Sequence, residues 1–375
     1  MYKLTRNVFL VFTSLLLTAC IDPVAPEFEL REGLVFVDGI ASTAPGASFV
    51  SIDISAYEFG FYVINFVEGA TVSFRNSNTG DIIHLIEQLD AYVPPADFAA
   101  QPGETWELEI VLPDGTNYRS EPEIVLYPVE ISNIRAIYDP ELQFRESENS
   151  FIPGHRISIG FTDPVGTDNN YYWYFKSYEK LVVCEKCRLS MLRDGRCQAD
   201  LANAGRDPYY DYICESDCWR IRYPENIGVL SDRFIDGIDV RDVEVAQIPL
   251  YTIQDIVVEI QQFSLTPAAF KYYEVLKDIV DDNRGLNAPP PAALVGNMVN
   301  VNDAEDPVFG RFTAAATSTS SVFIDRTNIP ENPIEAYEPI NVEEFGEGPP
   351  PSTTTAPCTE GRHRTAIEPT GWIDQ

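Results

Sequence analysis

The sequence predicts a mainly β protein. Three observations carry this: apolar and polar residues alternate with a period of two in many short stretches, Gly, Pro, Asn and Asp separate those stretches, and only one segment has helical spacing. The predicted order is a β-sandwich over 32–128 and a larger β-rich domain over 129–341. That second domain holds a helix near 267–283 and a cysteine-stapled loop. A segment over 1–19 precedes them, followed by a tether over 20–31. A flexible tail over 342–375, with a Cys/Trp segment near its end, follows them.

The elements follow in chain order. Leu34-Val35-Phe36-Val37 is an apolar run, and Asp38-Gly39 after it reads as a turn pair. In Phe49 to Ile54, Val50, Ile52 and Ile54 share a face opposite Ser51 and Asp53. Thr71 to Arg75 alternates and ends at the turn cluster Asn76 to Gly80. Trp106 to Leu112 ends at Pro113-Asp114-Gly115. Strands at this spacing, with polar turns between them, suit a sandwich closing near Tyr127-Pro128.

In the second region, Ile157 to Phe161, Tyr171 to Phe175 and Asp255 to Phe263 read as strands. Thr266 can cap a helix, Pro267 suits its first position, and Phe270, Tyr273, Leu276 and Val280 form one apolar face. Arg284-Gly285 ends that helix, and Pro289-Pro290-Pro291 is a stiff connector. Val322-Phe323-Ile324 reads as a short last strand. Glu343 to Pro357, rich in Gly, Pro, Ser and Thr, reads as exposed.

Residues 1–19 have the form of a signal peptide. Lys3 and Arg6 are basic, and Val8 to Ala19 is an apolar run of 12 residues, too short to span a bilayer. Leu17-Thr18-Ala19-Cys20 closes it as a bacterial lipobox. The Cys20 thiol would take a diacylglycerol and become the mature N-terminus, and two or more acyl chains anchor stably where one does not. Acidic residues number 58 against 26 basic, a formal net charge of −32. Such a surface repels phosphate backbones, so nucleic acid is not an expected partner.

Six cysteines remain: Cys184, Cys187, Cys197, Cys214, Cys218 and Cys358. An even number in an exported chain points to disulfides, and the isolation of Cys358 points to a link between the tail and the Cys184–Cys218 region. The spacing also permits a four-thiolate zinc site from Cys184, Cys187, Cys214 and Cys218. The exported context favours disulfides, so no metal and no cofactor is expected.

Other candidate sites each have a plainer reading. Tyr171-Tyr172-Trp173-Tyr174-Phe175 could stack on a sugar, but a strand must put one alternate set in the core. Asp281-Asp282-Asn283 and Asn300 to Asp306 offer oxygen ligands for calcium without the spacing of an EF-hand loop. His84, His155 and His363 are isolated, and none of the common hydrolase or phosphate-loop motifs occurs.

Several stretches, in order, resemble the DUF4249 family of lipoproteins from Bacteroidetes-type bacteria. They begin with Leu34 to Gly39, Val67 to Val72, Pro102 to Trp106, Asp114-Gly115 with Tyr118, Ser120 and Pro122, and Cys218-Trp219. The more specific ones are late: Phe263 to Thr266 before the helix, Pro289 to Pro291, Gly296-Asn297 with Asn300, Asp306 to Gly310, and Cys358 with Pro369 and Trp372. The resemblance implies an immunoglobulin-like or transthyretin-like N-terminal domain and genes beside TonB-dependent outer-membrane receptors. It brings no catalytic residues. Family tails often hold two or more close cysteines, whereas Cys358 stands alone, so the family's pairing is not carried over.

The expected function is therefore that of a non-enzymatic outer-membrane lipoprotein, accessory to a TonB-dependent receptor in nutrient uptake. A structural envelope lipoprotein without a small ligand is the alternative, and a surface hydrolase using paired carboxylates is a third.

Overall fold

Alternation along the strands decides how the layers stack. A computed structural model describes residues 32–145, 149–199, 209–282, 294, 296–303, 305–335, 338–343 and 353–373. Cys20, the signal segment, the tether and the Pro289–Pro291 connector lie outside these residues. The protein is mainly β with one α-helix, Pro267–Asp282, among the described residues. That helix is not long and apolar enough to cross a membrane.

One mixed sheet runs through both predicted regions. At its centre Val308–Ile324 pairs in parallel with Val35–Ser42 and antiparallel with Ile256–Leu265. Phe49–Glu58, Ala91–Val93 and Ile86–Gln88 continue one side. Asn170–Lys180, Trp219–Arg222 and Arg364–Thr365 continue the other.

Two smaller sheets cover one face. Val37, Val50, Ile52, Phe312 and Ala314 share a buried cluster with Val72, Phe74, Leu108, Ile110 and Met298 of a six-stranded sheet. Tyr171, Trp173, Phe175, Val258 and Ile260 share another with Ile157, Ile159, Phe161 and Ile248. These come from the antiparallel strands Ser150–Thr162 and Asp239–Pro249, with Ile131–Arg145 at the sheet edge. On the opposite face, Ile40, Phe263, Leu265 and Ala315 pack against Ala269 and Tyr273 of the helix. The helix starts as its sequence suggests, with the Thr266 hydroxyl accepting from the Ala269 N–H at 3.2 Å.

Three sequence readings of the main sheet are corrected. First, the boundary near residue 128 is crossed: Met298, Phe312, Ala314 and Ala316 complete the N-terminal core. An isolated N-terminal layer would leave a central strand edge unpaired, and the late strand supplies its partner. Second, Val322 to Ile324 is the end of a 17-residue strand. Its middle, Ala314-Ala315-Ala316-Thr317-Ser318, is buried but too small and polar to show an apolar pattern. Close approach explains Gly310 near its start and Gly296 beside it, since a Cβ on Gly310 would lie 1.9 Å from the Val37 carbonyl oxygen and one on Gly296 would lie 1.7 Å from that of Gly310. Third, Asp38-Gly39 is not a turn but lies inside Val35–Ser42. Gly39 faces the six-stranded sheet, where a Cβ would meet Leu108 at 3.2 Å.

The cysteine segment forms its own small layer. Val183–Arg188 pairs with Tyr209–Cys214, which pairs in parallel with Thr355–Ala356. Disulfides join Cys184 to Cys214, Cys187 to Cys197, and Cys218 to Cys358. Residues 353–373 are therefore not a flexible tail. Ala356 and Thr365 are buried, and Trp372 packs edge-on against Trp219 at 6.0 Å and Phe323 at 5.7 Å. Ring burial and a covalent link outweigh the loop-like composition.

Candidate binding cleft

The face of the main sheet away from the two smaller sheets carries an unusual carboxylate. Because Val35 and Val37 point into the core, Asp38 points the other way. It has neither a hydrogen bond nor an ion pair with any described residue. Surrounding protein desolvates the carboxyl and pushes it up to about 6. The Arg362 guanidinium pulls it down in part, and Asp53 on the neighbouring strand adds to the rise. Yet water still reaches the side chain, which is exposed by area. Both facts hold for a group on the floor of an open recess.

Tyrosines wall this recess. Tyr172 stacks on Tyr273 at 4.5 Å with the planes 10° apart, and on Phe263 at 5.6 Å. Tyr174 lies 5.9 Å from Tyr223. Burial raises the hydroxyl pKa values of Tyr172, Tyr174, Tyr272 and Tyr273, and Asp38 pushes each further. They stay protonated, and thus able to donate, at neutral pH. The C-terminal segment closes the far side. The Arg362 guanidinium sits 5.8 Å from the centre of the Tyr223 ring, whose hydroxyl donates to the Arg362 carbonyl. Arg362 is held in place by the Cys218–Cys358 bond before it and by Arg364–Thr365, paired with Trp219–Arg222, after it.

A cavity of about 490 Å³ adjoins at Tyr223. Strand pairing explains it. Asn170–Lys180 is joined by Gly228–Ser231 over Asn170–Trp173 and by Trp219–Arg222 over Ser177–Lys180. Between these two ladders Tyr174, Phe175 and Lys176 have no strand partner on that edge among the described residues, and residues 223–227 connect the two strands past the gap. Trp173, Phe175, Tyr223, Asn226, Gln247 and Lys277 are among the lining residues, so aromatic faces alternate with polar ends. Arg222, at the rim, is fixed by Glu179 at 3.2 Å and Glu335 at 2.7 Å and lies 4.2 Å from the Tyr251 ring centre.

The sequence candidates distribute as follows. The four cysteines of the zinc alternative are divided among three disulfides, leaving no thiolate set. Of the aromatic run, Tyr171, Trp173 and Phe175 enter the core, while Tyr172 and Tyr174 face the recess. The Asn300 side chain accepts from the N–H groups of Asn302 and Asp303 and donates to Asp306, a self-contained turn. Asp281 pairs with Lys277. His84 is exposed, and His363 packs on Tyr223 at 5.4 Å. His155 is buried, and burial together with nearby Arg326 pushes it down to about 4, so it is neutral at physiological pH.

Sequence reasoning missed Asp38, Asp53 and Arg362. The signal was present in part: Ile40 and Ala41 carry the apolar run past Asp38-Gly39, which a turn would have ended.

Holding Asp38 charged costs stability. Its folded pKa lies above the unfolded value, so the cost is absent below about pH 4, grows as pH rises to about 6, and is complete above that. Asp38→Asn is expected to stabilise the protein at pH 7.5 and to give no gain at pH 4. Allowing for the water that reaches the group, the gain is on the order of 1 kcal/mol. Thermal melts at the two pH values check this, and equal melting temperatures at pH 7.5 would contradict it.

No curated protein and no solved structure matches the chain. A family model described as Domain of unknown function (DUF4249) matches residues 21–321, most of the chain. Its match stops before Cys358 and Arg362, so the segment that closes the recess lies beyond it. The chain belongs to the DUF4249 family.

Proposed function

We propose that this protein is a lipid-anchored, non-catalytic binding protein of the outer membrane, accessory to a TonB-dependent receptor in nutrient uptake. The observation that carries the reading is the lipobox Leu17-Thr18-Ala19-Cys20 behind a short apolar run. Membership of DUF4249 and the tyrosine-walled recess around Asp38 support it, the recess as the place where a small molecule would be captured. In this reading the protein needs neither metal nor cofactor. Anchoring confines it to the membrane of its receptor, which raises their effective concentration and lets a weak interface suffice.

The test joins anchor and partner. Wild-type protein is expected to take up a fatty-acid analogue and to co-purify with a β-barrel receptor after mild crosslinking in detergent. Cys20→Ser is expected to abolish labelling and to release the protein from membranes or block its processing. An unlabelled wild type removes the anchor. Repeated recovery of the protein alone, with growth on all nutrients unchanged after deletion, favours a structural envelope role.

A further inference from the structure

The hairpin of Phe49–Glu58 and Phe61–Phe66 ends in a tip that leaves large apolar side chains exposed. Phe59 is 98% exposed, Phe61 73% and Ile64 65%, with Tyr57 and Tyr62 also exposed and their rings 4.8 Å apart. The tip is nearly free of charge in a chain of net charge −32. Glu58 alone is ionisable between Ala56 and Phe66, apart from the two tyrosines, and its carboxylate accepts from the Asn65 side chain at 2.8 Å.

Its turn is made the costly way. Glu58 pairs with Phe61, so Phe59-Gly60 is a two-residue loop, and both residues have positive φ, 53° and 89°. Asn-Gly or Gly-Gly adopts this turn freely, whereas phenylalanine at the first position is strained. A strained residue that buries nothing points to a use outside the fold.

The chain's entry point says where that use lies. Gly33 N–H donates to the Ser55 carbonyl at 2.8 Å, and Ser55 N–H donates to the Leu34 carbonyl at 2.9 Å. Val35 pairs with Ile54 and Ile40 with Phe49, so the chain preceding Gly33 leaves the sheet toward the hairpin tip. Phe59 lies four residues beyond Ser55, about 13 Å along the strand. A flexible chain of the length that separates Cys20 from Gly33 would span roughly 20 Å, so an acylated Cys20 would hold the bilayer within reach of the tip.

We propose that the hairpin tip, Tyr57 to Ile64, is a membrane-contact surface that seats in the interfacial layer of the bilayer holding the protein's own lipid anchor. Phenylalanine supplies the apolar wedge, and the flanking tyrosines suit the headgroup level, where amphipathic rings concentrate. Anchor and tip together give two attachments, which fix the orientation of the molecule above the membrane. The inference rests on acylation of Cys20.

The experiment uses the full acylated chain carrying Phe59→Trp, in phosphatidylcholine–phosphatidylethanolamine vesicles with plain or brominated acyl chains. Of the four native tryptophans, Trp106, Trp173 and Trp219 are buried and Trp372 is half-buried against Trp219 and Phe323, so emission added over that of the wild type reports the tip. Brominated chains are expected to quench that added emission by at least half and to leave wild-type emission nearly unchanged. Equal emission in both vesicles, with the acylated N-terminal peptide confirmed by mass spectrometry, overturns the inference and spares the anchor. Absence of acylation overturns both. Phe59→Asn is expected to keep or raise the melting temperature; a lower one would assign Phe59 to folding and overturn the proposal. So would loss of receptor co-purification by Phe59→Asn combined with no quenching of Trp at the tip, which would place a protein there instead.

Discussion

Replacing Cys358 with serine is expected to lower the melting temperature by on the order of 10 °C and to open residues 353–373 to proteases. Cys218 and Cys358 are separated by 140 residues, the longest span closed by a disulfide among the described residues. Removing that constraint from the unfolded chain is worth about 5 kcal/mol on chain-entropy grounds. Cys218→Ser should match it, and the double variant should be no worse than either single one, because all three lose the same link. Scanning calorimetry and limited proteolysis read both effects. A melting temperature unchanged by either substitution would show that strand pairing and the Trp219–Trp372 contact hold the segment without the bond. The substitution also frees Arg362, the cation that offsets the desolvation of Asp38. A shifted Asp38 titration would therefore accompany the stability loss.

The second large effect is expected at the buried ion pair Glu123–Arg311. Both side chains are almost fully buried and in direct contact. Glu123 also accepts from the Asn297 amide at 3.2 Å and the Thr266 hydroxyl at 3.3 Å. Asn297 in turn bonds both the N–H and the carbonyl of Phe312, each at 2.9 Å. One carboxylate thus ties the six-stranded sheet to the helix start and the central strand. Burial raises the Glu123 pKa, and Arg311 counters it. Glu123→Leu would leave a guanidinium buried without its counter-ion, including an Nε that already has no hydrogen-bond partner. A loss of about 3–5 kcal/mol is expected. The double variant Glu123→Leu, Arg311→Met should recover much of it, since an apolar pair of similar volume carries no unpaired charge. Urea unfolding of the three variants decides this, and a double variant as unstable as Glu123→Leu would show that the bonds to Asn297 and Thr266 carry the weight.

The parts of the fold legible in the sequence were those whose burial is one-sided. Phe49 to Ile54 and Trp106 to Leu112 alternate because one face meets the core and the other meets solvent or a polar edge. The helix was legible from Thr266-Pro267 and the Phe270, Tyr273, Leu276 stripe. The central strand was not, because packing on both faces and between close backbones selects Ala, Ser, Thr and Gly. Such residues write no period. The recess was illegible for a different reason. Asp38, Tyr172 and Arg362 come from three distant stretches, and only the sheet order and the C-terminal disulfide bring them to one face. Local chemistry at Asp38-Gly39 even argued for a turn.

The parallel pairing of Val35–Ser42 with Val308–Ile324 sets a timetable for maturation. Any chain is made N-terminus first, so its first strand is complete long before its partner. Until then Val37, Val50 and Ile52 lack Phe312 and Ala314 above them, and an open strand edge stays available to wrong partners. Contacts this distant in sequence form slowly, because the intervening loop must close first. The N-terminal layers therefore depend on being kept apart from other chains until synthesis is complete, and a chain cut short before Val308 would be left with an unfilled core and an unprotected edge.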